Sequence, residues 1–237
     1  KRGSSRPPTP AVPASATVPQ GNVSATFGVT GVSAGNGVTI TASGVLIAND
    51  TATVNVAPPP GMTYNNPNYA MGKDSAEFGF SVSLGAPAPA GGVVVHLVSS
   101  DATRLLLAPN GSALVGSGTL DVTVPVGQST AFWSMQALAD NGSSTVTVTA
   151  PGYTGTSGTH PLTPSGFYIS TGSFNTTTLS PDKGVDVCFV KLSATLLNGG
   201  FRELRPGVTP VSLTMSSDTP SVGTIANNPR TISAGHT

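Results

Sequence analysis

The sequence has few charged residues, few aromatic residues, one cysteine and no long apolar run. Its ten basic and ten acidic residues cancel, and charged residues make up 8% of the chain, against about 25% in an average soluble domain. This balance excludes the basic face that nucleic-acid binding requires. The single cysteine, Cys188, excludes an internal disulfide framework. Because no stretch reaches about 18 apolar residues, the sequence predicts no transmembrane segment.

Glycine and proline are abundant instead, with 29 and 21 residues. Disorder is rejected, because Val, Ile, Leu and Phe are frequent and follow a pattern. The surface must then consist largely of Thr, Ser, Asn and Gly, which we associate with extracellular repeat proteins. The chain opens at Lys1 without an initiator methionine or a signal peptide. We therefore expect a segment of a longer extracellular or cell-surface protein.

One phrase occurs three times in the chain: TVPQG begins at Thr17, TVPVG at Thr123 and TISAG at Thr231, and each follows a double serine. The spacings are 106 and 108 residues, and about 100 residues make one small β-sandwich. The repeat predicts the later strands of one copy in residues 1–57, a complete copy in 58–164 and the earlier strands of a third in 165–237. Proline at both junctions favours an extended rod.

Helical periodicity is absent, and short alternating segments predict strands at sandwich spacing. The clearest are SAEFGFSVSL, GGVVVHLVSS, TLDVTVPV, TAFWSMQAL and STVTVTA. Residues two apart on a strand point to the same face, so alternation and the repeat together predict which side chains are buried. The predicted core of the complete copy is Phe80, Val82, Trp133, Met135, Val146 and Val148.

The other two copies are aligned on the complete one. VTITAS at residues 38–43 falls on VTVTAP at an offset of 108, which predicts core positions at Val38, Ile40 and Ala42. Phe27 falls on Trp133. In the third copy Leu192 falls on Leu84, and the alignment then gives that copy nine extra residues before Val211.

These residues resemble the bacterial immunoglobulin-like repeats found in tandem in large secreted and cell-surface proteins, including adhesins of the invasin and intimin kind. The resemblance rests on the run of a double serine, T-V-P-x-G, F-x-V, VTITAS and TATVNV, which covers residues 4–56. It implies an all-β fold of tandem immunoglobulin-like β-sandwich domains in an extended rod. It implies little about function, since such repeats serve as spacers, adhesins and accessory modules of enzymes.

No catalytic constellation emerges from the sequence. His96, His160 and His236 are isolated from one another, and no nucleophile-elbow motif accompanies the many serines. We therefore predict no enzyme activity and no cofactor. Calcium is a minority alternative, because Asp74 and Asp182 recur at equivalent positions and acidic junctions bind calcium. The simpler interpretation makes both aspartates turn residues.

Two segments are candidates for contact with a partner. Tyr64 and Tyr69 lie on a Pro/Asn-rich segment whose exposed rings would stack on a glycan or host surface, or would pack between adjacent domains. The second segment, FRELRPG, concentrates charge within the insertion of the third copy and is either a docking point for a neighbouring subunit or a solvated loop tip. Its candidate residues are Phe201, Arg202, Glu203 and Arg205.

Three functional hypotheses follow. The first is a non-enzymatic structural segment of a stalk, adhesin or filament, with neighbouring repeats or subunits as partners. The second is a carbohydrate- or host-surface-binding module, and the third is a set of accessory modules of a secreted hydrolase. The incomplete end copies are completed either by a longer chain or by strands from another molecule, as in β-augmentation.

Overall fold

The computed structural model describes residues 15, 17–26, 28–193 and 195–235. Within these residues the chain forms seventeen strands and no helix, so the fold is all-β, as the sequence predicts. No helix of the described residues is therefore available to cross a membrane. The chain divides into two compact units, Lys1–Pro59 and Pro60–Thr237.

The first unit contains one antiparallel hairpin, β1 (Gly35–Gly44) and β2 (Ile47–Val56). Val38 and Ile40 are only half-buried and Ala42 is exposed, so the predicted core of this copy is wrong for the described residues. The physical reason is that β1 and β2 pair only with each other, and a lone two-stranded sheet has no second layer to cover its apolar face. Phe27 lies outside the described residues.

The second unit contains the other fifteen strands, which we number in chain order. They are β3 (Thr63–Asn65), β4 (Met71–Gly72), β5 (Ser75–Ser83), β6 (Val93–Ser99), β7 (Leu105–Pro109), β8 (Thr119–Val124), β9 (Thr130–Ala137), β10 (Ser143–Thr149), β11 (Thr156–Thr163), β12 (Ser165–Ile169), β13 (Val187–Leu192), β14 (Asn198–Phe201), β15 (Glu203–Leu204), β16 (Val211–Leu213) and β17 (Arg230–Ile232). All five segments predicted as strands from their alternation are strands, as β5, β6, β8, β9 and β10.

Two sheets enclose the main core of the second unit. One has the strand order β4-β11-β10-β6-β8, and the other has the order β15-β5-β9-β7 with β3 beside β5. Buried side chains from both sheets form a single hydrophobic cluster. All six predicted core residues belong to it, and Trp133 is 0% exposed. The prediction made from alternation and the repeat is confirmed.

Strand β9 departs from simple alternation, because Ser134 and Gln136 are buried on the face opposite Trp133. The segment after β7 covers this second face. Ser134 Oγ accepts a hydrogen bond from Gly111 N–H at 3.1 Å, and the Gln136 amide bonds both Gly116 N–H at 3.0 Å and Leu114 C=O at 2.7 Å. Polar side chains are tolerated there because their hydrogen-bonding groups are satisfied.

The last part of the unit holds two small sheets, β12-β13-β14 and β16-β17, over a cluster of Phe189, Leu204 and Ile232. The β16–β17 hairpin matches β6–β8 pair for pair, since Val211 lies opposite Ile232 as Val93 lies opposite Val124. Val211 is thus equivalent to Val93, an offset of 118 rather than 117. An alignment that keeps these pairs gives ten extra residues before Val211 instead of the nine counted from the sequence, because a slip of one residue would turn the apolar face outward.

Candidate functional site

A cluster of charged and aromatic side chains joins the residues before Pro164 to those after it. Tyr69 lies between β3 and β4, Glu77 on β5, Lys191 on β13, and Arg202 between β14 and β15. We call these four residues the clamp. Its members come from both sides of the predicted boundary between the complete copy and the third copy.

Hydrogen bonds join three of the clamp residues, Tyr69, Glu77 and Arg202, to one another, and Lys191 lies over the tyrosine ring. Tyr69 O–H donates to Glu77 Oε2 at 3.1 Å and accepts from Arg202 Nη2 at 2.7 Å. Arg202 Nε donates to Glu77 Oε1. Lys191 Nζ lies 4.5 Å from the centroid of the Tyr69 ring and donates to Ala70 C=O at 2.9 Å. The tyrosine thus receives a cation on its ring face and a guanidinium at its hydroxyl.

A second ion pair lies beside the clamp. Arg205 Nη2 and Nε are each 3.0 Å from Asp74 Oδ1, and Arg205 N–H donates to Asp74 C=O at 2.8 Å. Asp74 occupies the turn between β4 and β5 with a φ of 59°, a left-handed conformation that aspartate tolerates better than most residues. Between these two ion pairs, β15 pairs with β5 through Glu203 opposite Ala76.

Burial shapes the electrostatics of the clamp. Removal of Glu77 from water raises its pKa, and the neighbouring Arg202 opposes that shift. Burial lowers the pKa of Lys191, and Arg202 lowers it further while Glu77 raises it. Burial raises the pKa of the Tyr69 hydroxyl, and the Glu77 carboxylate adds to the rise. The pKa of each of these groups therefore depends on its neighbours, because each group has lost contact with water and gained a charged or polar partner.

The residues before Pro164 and those after it also approach closely at Gly72 in β4. A Cβ atom at this position would lie 2.5 Å from Ser165 Oγ and 3.1 Å from Lys191 Cα. Ser165 Oγ in turn donates to Lys73 C=O at 2.7 Å. A side chain larger than hydrogen would push β4 away from β12 and β13.

Three of the six residues predicted to contact a partner lie in or beside the clamp. Tyr69 and Arg202 belong to the clamp, and Arg205 forms the adjacent ion pair. Their contacts are within the chain, between adjacent repeats as the sequence divides them. Packing between adjacent domains was one of the two interpretations of the tyrosine segment.

The other three predicted residues lie elsewhere. Glu203 belongs to β15. Phe201 ends β14, is 50% exposed, and lies 6.2 Å from the ring of Tyr168, which is 43% exposed. Tyr64 is only 6% exposed, so the expectation of an exposed ring is wrong for this residue. It belongs to the core because β3 pairs with β5 and directs the ring against Trp133.

Tyr64 takes part in a buried polar contact that the sequence did not predict. Its hydroxyl lies 2.8 Å from His160 Nε2, and His160 Nδ1 lies 3.0 Å from Tyr69 C=O. A carbonyl only accepts, so Nδ1 carries a proton, and in the neutral ring Nε2 accepts from Tyr64 O–H. Burial lowers the pKa of His160. Burial therefore favours the neutral form of the ring, which is 0% exposed.

The remaining candidates for chemistry have ordinary partners. His96 Nδ1 lies 2.5 Å from Asp121 Oδ1 on the neighbouring strand, and the two side chains are 48% and 65% exposed. Within the described residues no group of three or more His, Cys, Asp or Glu side chains is arranged to hold a metal ion. Asp74, one of the two candidate calcium ligands, directs its carboxylate to Arg205. Asp182 is exposed, and His236 lies outside the described residues.

Comparison with protein-family models finds no family that matches the chain, and comparison with curated proteins finds no match.

Proposed function

We propose that the chain is a non-enzymatic structural segment of a long extracellular or cell-surface repeat protein, built from tandem immunoglobulin-like sandwiches. The observation that supports this proposal is the clamp, in which four charged or aromatic side chains connect residues before Pro164 to residues after it. The proposal places the boundary between two successive repeats at this point. In a chain with only 20 charged residues, such a concentration at one junction favours a load-bearing role. Neighbouring repeats or subunits of the same protein are the partners.

Three further features of the junction support this role. Only Pro164 separates β11 from β12, so the connection has no slack. Leu192 N–H donates to Pro164 C=O at 2.9 Å, which ties the connection to β13. Gly72 allows the backbones to touch. A flexible linker of glycine and serine would have none of these properties.

Location and activity together test the proposal. Mild proteolysis of intact cells that produce the protein should release peptides from residues 58–237, and the purified chain should show no turnover with glycoside, peptide or ester substrates. Detection of the chain in the cytosol alone, or measurable turnover that co-purifies with it, would refute the proposal. Release of the chain into the medium as part of a larger hydrolase would instead favour the accessory-module hypothesis.

Binding of a carbohydrate or host surface is a second candidate, favoured by the adjacent Tyr168 and Phe201 rings. They are the kind of exposed aromatic pair on which sugars stack. A glycan array probed with the native chain, and with Tyr168→Ala and Phe201→Ala together, tests this function. The matched control is Phe132→Ala, which removes an equally exposed ring from β9. Binding that the double variant retains would assign the glycan site elsewhere.

A further inference from the structure

Asparagine is followed by glycine at four positions of the chain: Asn36, Asn110, Asn141 and Asn198. This dipeptide is chemically reactive, because glycine has no Cβ to keep its backbone nitrogen away from the preceding side-chain amide. Two of the four occur in the same tripeptide, Asn-Gly-Ser, at residues 110–112 and 141–143. Their intrinsic reactivity is therefore similar, and a difference between them in the folded chain comes from the fold.

The two tripeptides are also matched in exposure and backbone conformation. Asn110 directly follows β7, and Asn141 lies just before β10. Both asparagines and the glycines after them are exposed. The φ angles of Gly111 and Gly142 are 69° and 70°, in the left-handed region that glycine adopts readily. A comparison of the two sites therefore isolates the effect of hydrogen bonding.

Hydrogen bonds hold Asn110 and Gly111 to two different strands. Gly111 N–H donates to Ser134 Oγ on β9 at 3.1 Å. Asn110 Oδ1 accepts from Gly79 N–H on β5 at 2.9 Å. The glycine nitrogen and the asparagine amide must give up these bonds before they approach each other. Their reaction is therefore disfavoured while the chain is folded.

Asn141 and Gly142 are bonded in a different way. Gly142 N–H donates no hydrogen bond among the described residues. Arg104 Nη1 donates to the backbone C=O of Asn141 at 2.6 Å, and Arg104 Nη2 donates to Asn141 Oδ1 at 3.4 Å. Asn141 Nδ2 donates to Asp140 Oδ1 at 2.8 Å. The guanidinium is thus placed to stabilise the negative charge that forms on Oδ1 when a nucleophile attacks Cγ.

We propose that Asn141 is a site of self-modification, at which the chain converts its own side-chain amide into a carboxylate. Gly142 N loses its proton and bonds to Asn141 Cγ, the bond from Cγ to Nδ2 breaks, and Nδ2 takes up a proton and leaves as ammonia. Water then adds to one carbonyl carbon of the resulting succinimide, and the ring nitrogen takes up a proton as its bond to that carbon breaks. The net reaction consumes one water and releases one ammonia.

The products are aspartate or its β-linked isomer, according to which carbonyl the water attacks. Either product adds a carboxylate beside Asp140 and Arg104, and the formal net charge changes from 0 to −1. Hydrolysis does not reverse in water, so the converted fraction records the age of the molecule. This modification goes beyond the proposed structural role and does not depend on it.

The other two Asn-Gly pairs lack this arrangement. Gly37 N–H donates to Asn55 Oδ1 at 2.8 Å. Asn198 Oδ1 accepts from Gly200 N–H at 2.7 Å. Neither pair combines a free glycine N–H with a guanidinium at the asparagine oxygen among the described residues. Asn141 is therefore distinguished from all three by its hydrogen bonds.

Peptide mapping of the unmodified chain tests the proposal. The purified protein is kept at mildly alkaline pH, and mass spectrometry follows conversion at Asn141 and at Asn110 over time. Conversion at Asn141 should be faster by about tenfold, the factor expected when one or two hydrogen bonds need not be broken. Equal rates at the two sites in the folded chain would overturn the proposal.

The same measurement in urea is the matched control. Once the chain is unfolded, the two rates should converge, because the tripeptides are identical. A difference that persists in urea would overturn the proposal, since the local sequence would then explain it. Isoelectric focusing gives an independent readout: an acidic form should accumulate from a chain with a pI near 7.0, and Asn141→Gln should remove most of it.

Two variants test the role of each hydrogen bond, and circular dichroism verifies that both remain folded. Ser134→Ala frees Gly111 N–H and should raise conversion at Asn110 several-fold, with Asn141 unchanged. Arg104→Gln removes the cation and should slow conversion at Asn141, with Asn110 unchanged. An unchanged rate at Asn110 in the first variant, or an unchanged or faster rate at Asn141 in the second, would overturn this explanation of the site.

Discussion

Trp133 is the largest fully buried side chain of the described residues. Its ring packs edge-on against Tyr64, with centroids 5.3 Å apart, and stacks near Phe80 at 6.4 Å. Its indole Nε1 is buried without a hydrogen-bond partner among the described residues. Burial of that N–H costs free energy, so the apolar contacts of the ring must more than offset it.

Replacement of this ring measures its contribution directly. Trp133→Ala should lower the free energy of unfolding by roughly 3–5 kcal/mol, because it leaves a cavity between the two sheets. Urea unfolding followed by circular dichroism gives the value. Phe132→Ala is the control, since Phe132 is the next residue of β9 and is half exposed. Similar losses in the two variants would contradict the assignment of the core.

His160 makes stability depend on pH. Its pKa in the folded state is lower than the ordinary value of 6.5, so the unfolded chain binds a proton more readily than the folded one. The contribution is fully present above pH 6.5 and is lost as pH falls toward the folded pKa. Unfolding free energies measured between pH 8 and pH 5 should therefore decrease. His160→Gln, which cannot be protonated in this range, should flatten the profile.

At the scale of elements, the clamp explains how β13 and the segment around β15 are held against β5. Glu77 and Arg202 are only 11% and 18% exposed, so the pair has lost most of its hydration. Removal of one partner from such a pair is costly because the other charge stays buried. The clamp is therefore sensitive to single substitutions in a way that the exposed His96–Asp121 pair is not.

Arg202→Met tests this sensitivity. It should raise the pKa of Glu77 further, because the substitution removes the cation that opposes the desolvation of the carboxylate, and it should cost up to about 3 kcal/mol of stability. Carbon-detected NMR titration of Glu77 measures the first effect and chemical unfolding the second. Arg230→Met, at an exposed position of β17, should change neither. An unchanged Glu77 pKa in Arg202→Met would refute the pairing.

The sequence predicts local structure well and long-range contacts poorly. Alternation and the repeat were enough to predict that Phe80, Val82 and Trp133 share one core, because both depend on period-two placement. They did not predict that Ser134 and Gln136 are buried, since the segment that covers them lies 20 to 23 residues away in the sequence. Tyr69 and Arg202 are 133 residues apart, and nothing in either segment specifies the other.

At the scale of the whole molecule, the two compact units differ in how much they bury. No side chain of the first unit's described residues is fully buried, and Val45, Leu46 and Ile47 at the tip of its hairpin are exposed. The second unit holds the complete core. Stability is therefore unevenly distributed along the chain.

Amide hydrogen exchange should reveal this difference. In dilute solution, amides of β1 and β2 should exchange at least a hundredfold faster than those of β9 and β10, because opening of the hairpin exposes little apolar surface. Mass spectrometry of peptides from each region measures the rates. Equal protection of both regions in dilute solution would contradict the difference in burial.

The single residue between β11 and β12 has a mechanical consequence. The proline ring fixes φ of Pro164 near about −65°, and its carbonyl is bonded to Leu192, so one of the few rotatable bonds at the junction is locked and its neighbour is restrained. Tension along the chain then passes through the backbone while the clamp and the Asp74–Arg205 pair lie in parallel with it. Rotation of β12 about the connection would strain those side-chain bonds at once. The junction should therefore transmit torque as well as tension, because a rotation of β12 is resisted by the clamp and by the Asp74–Arg205 pair.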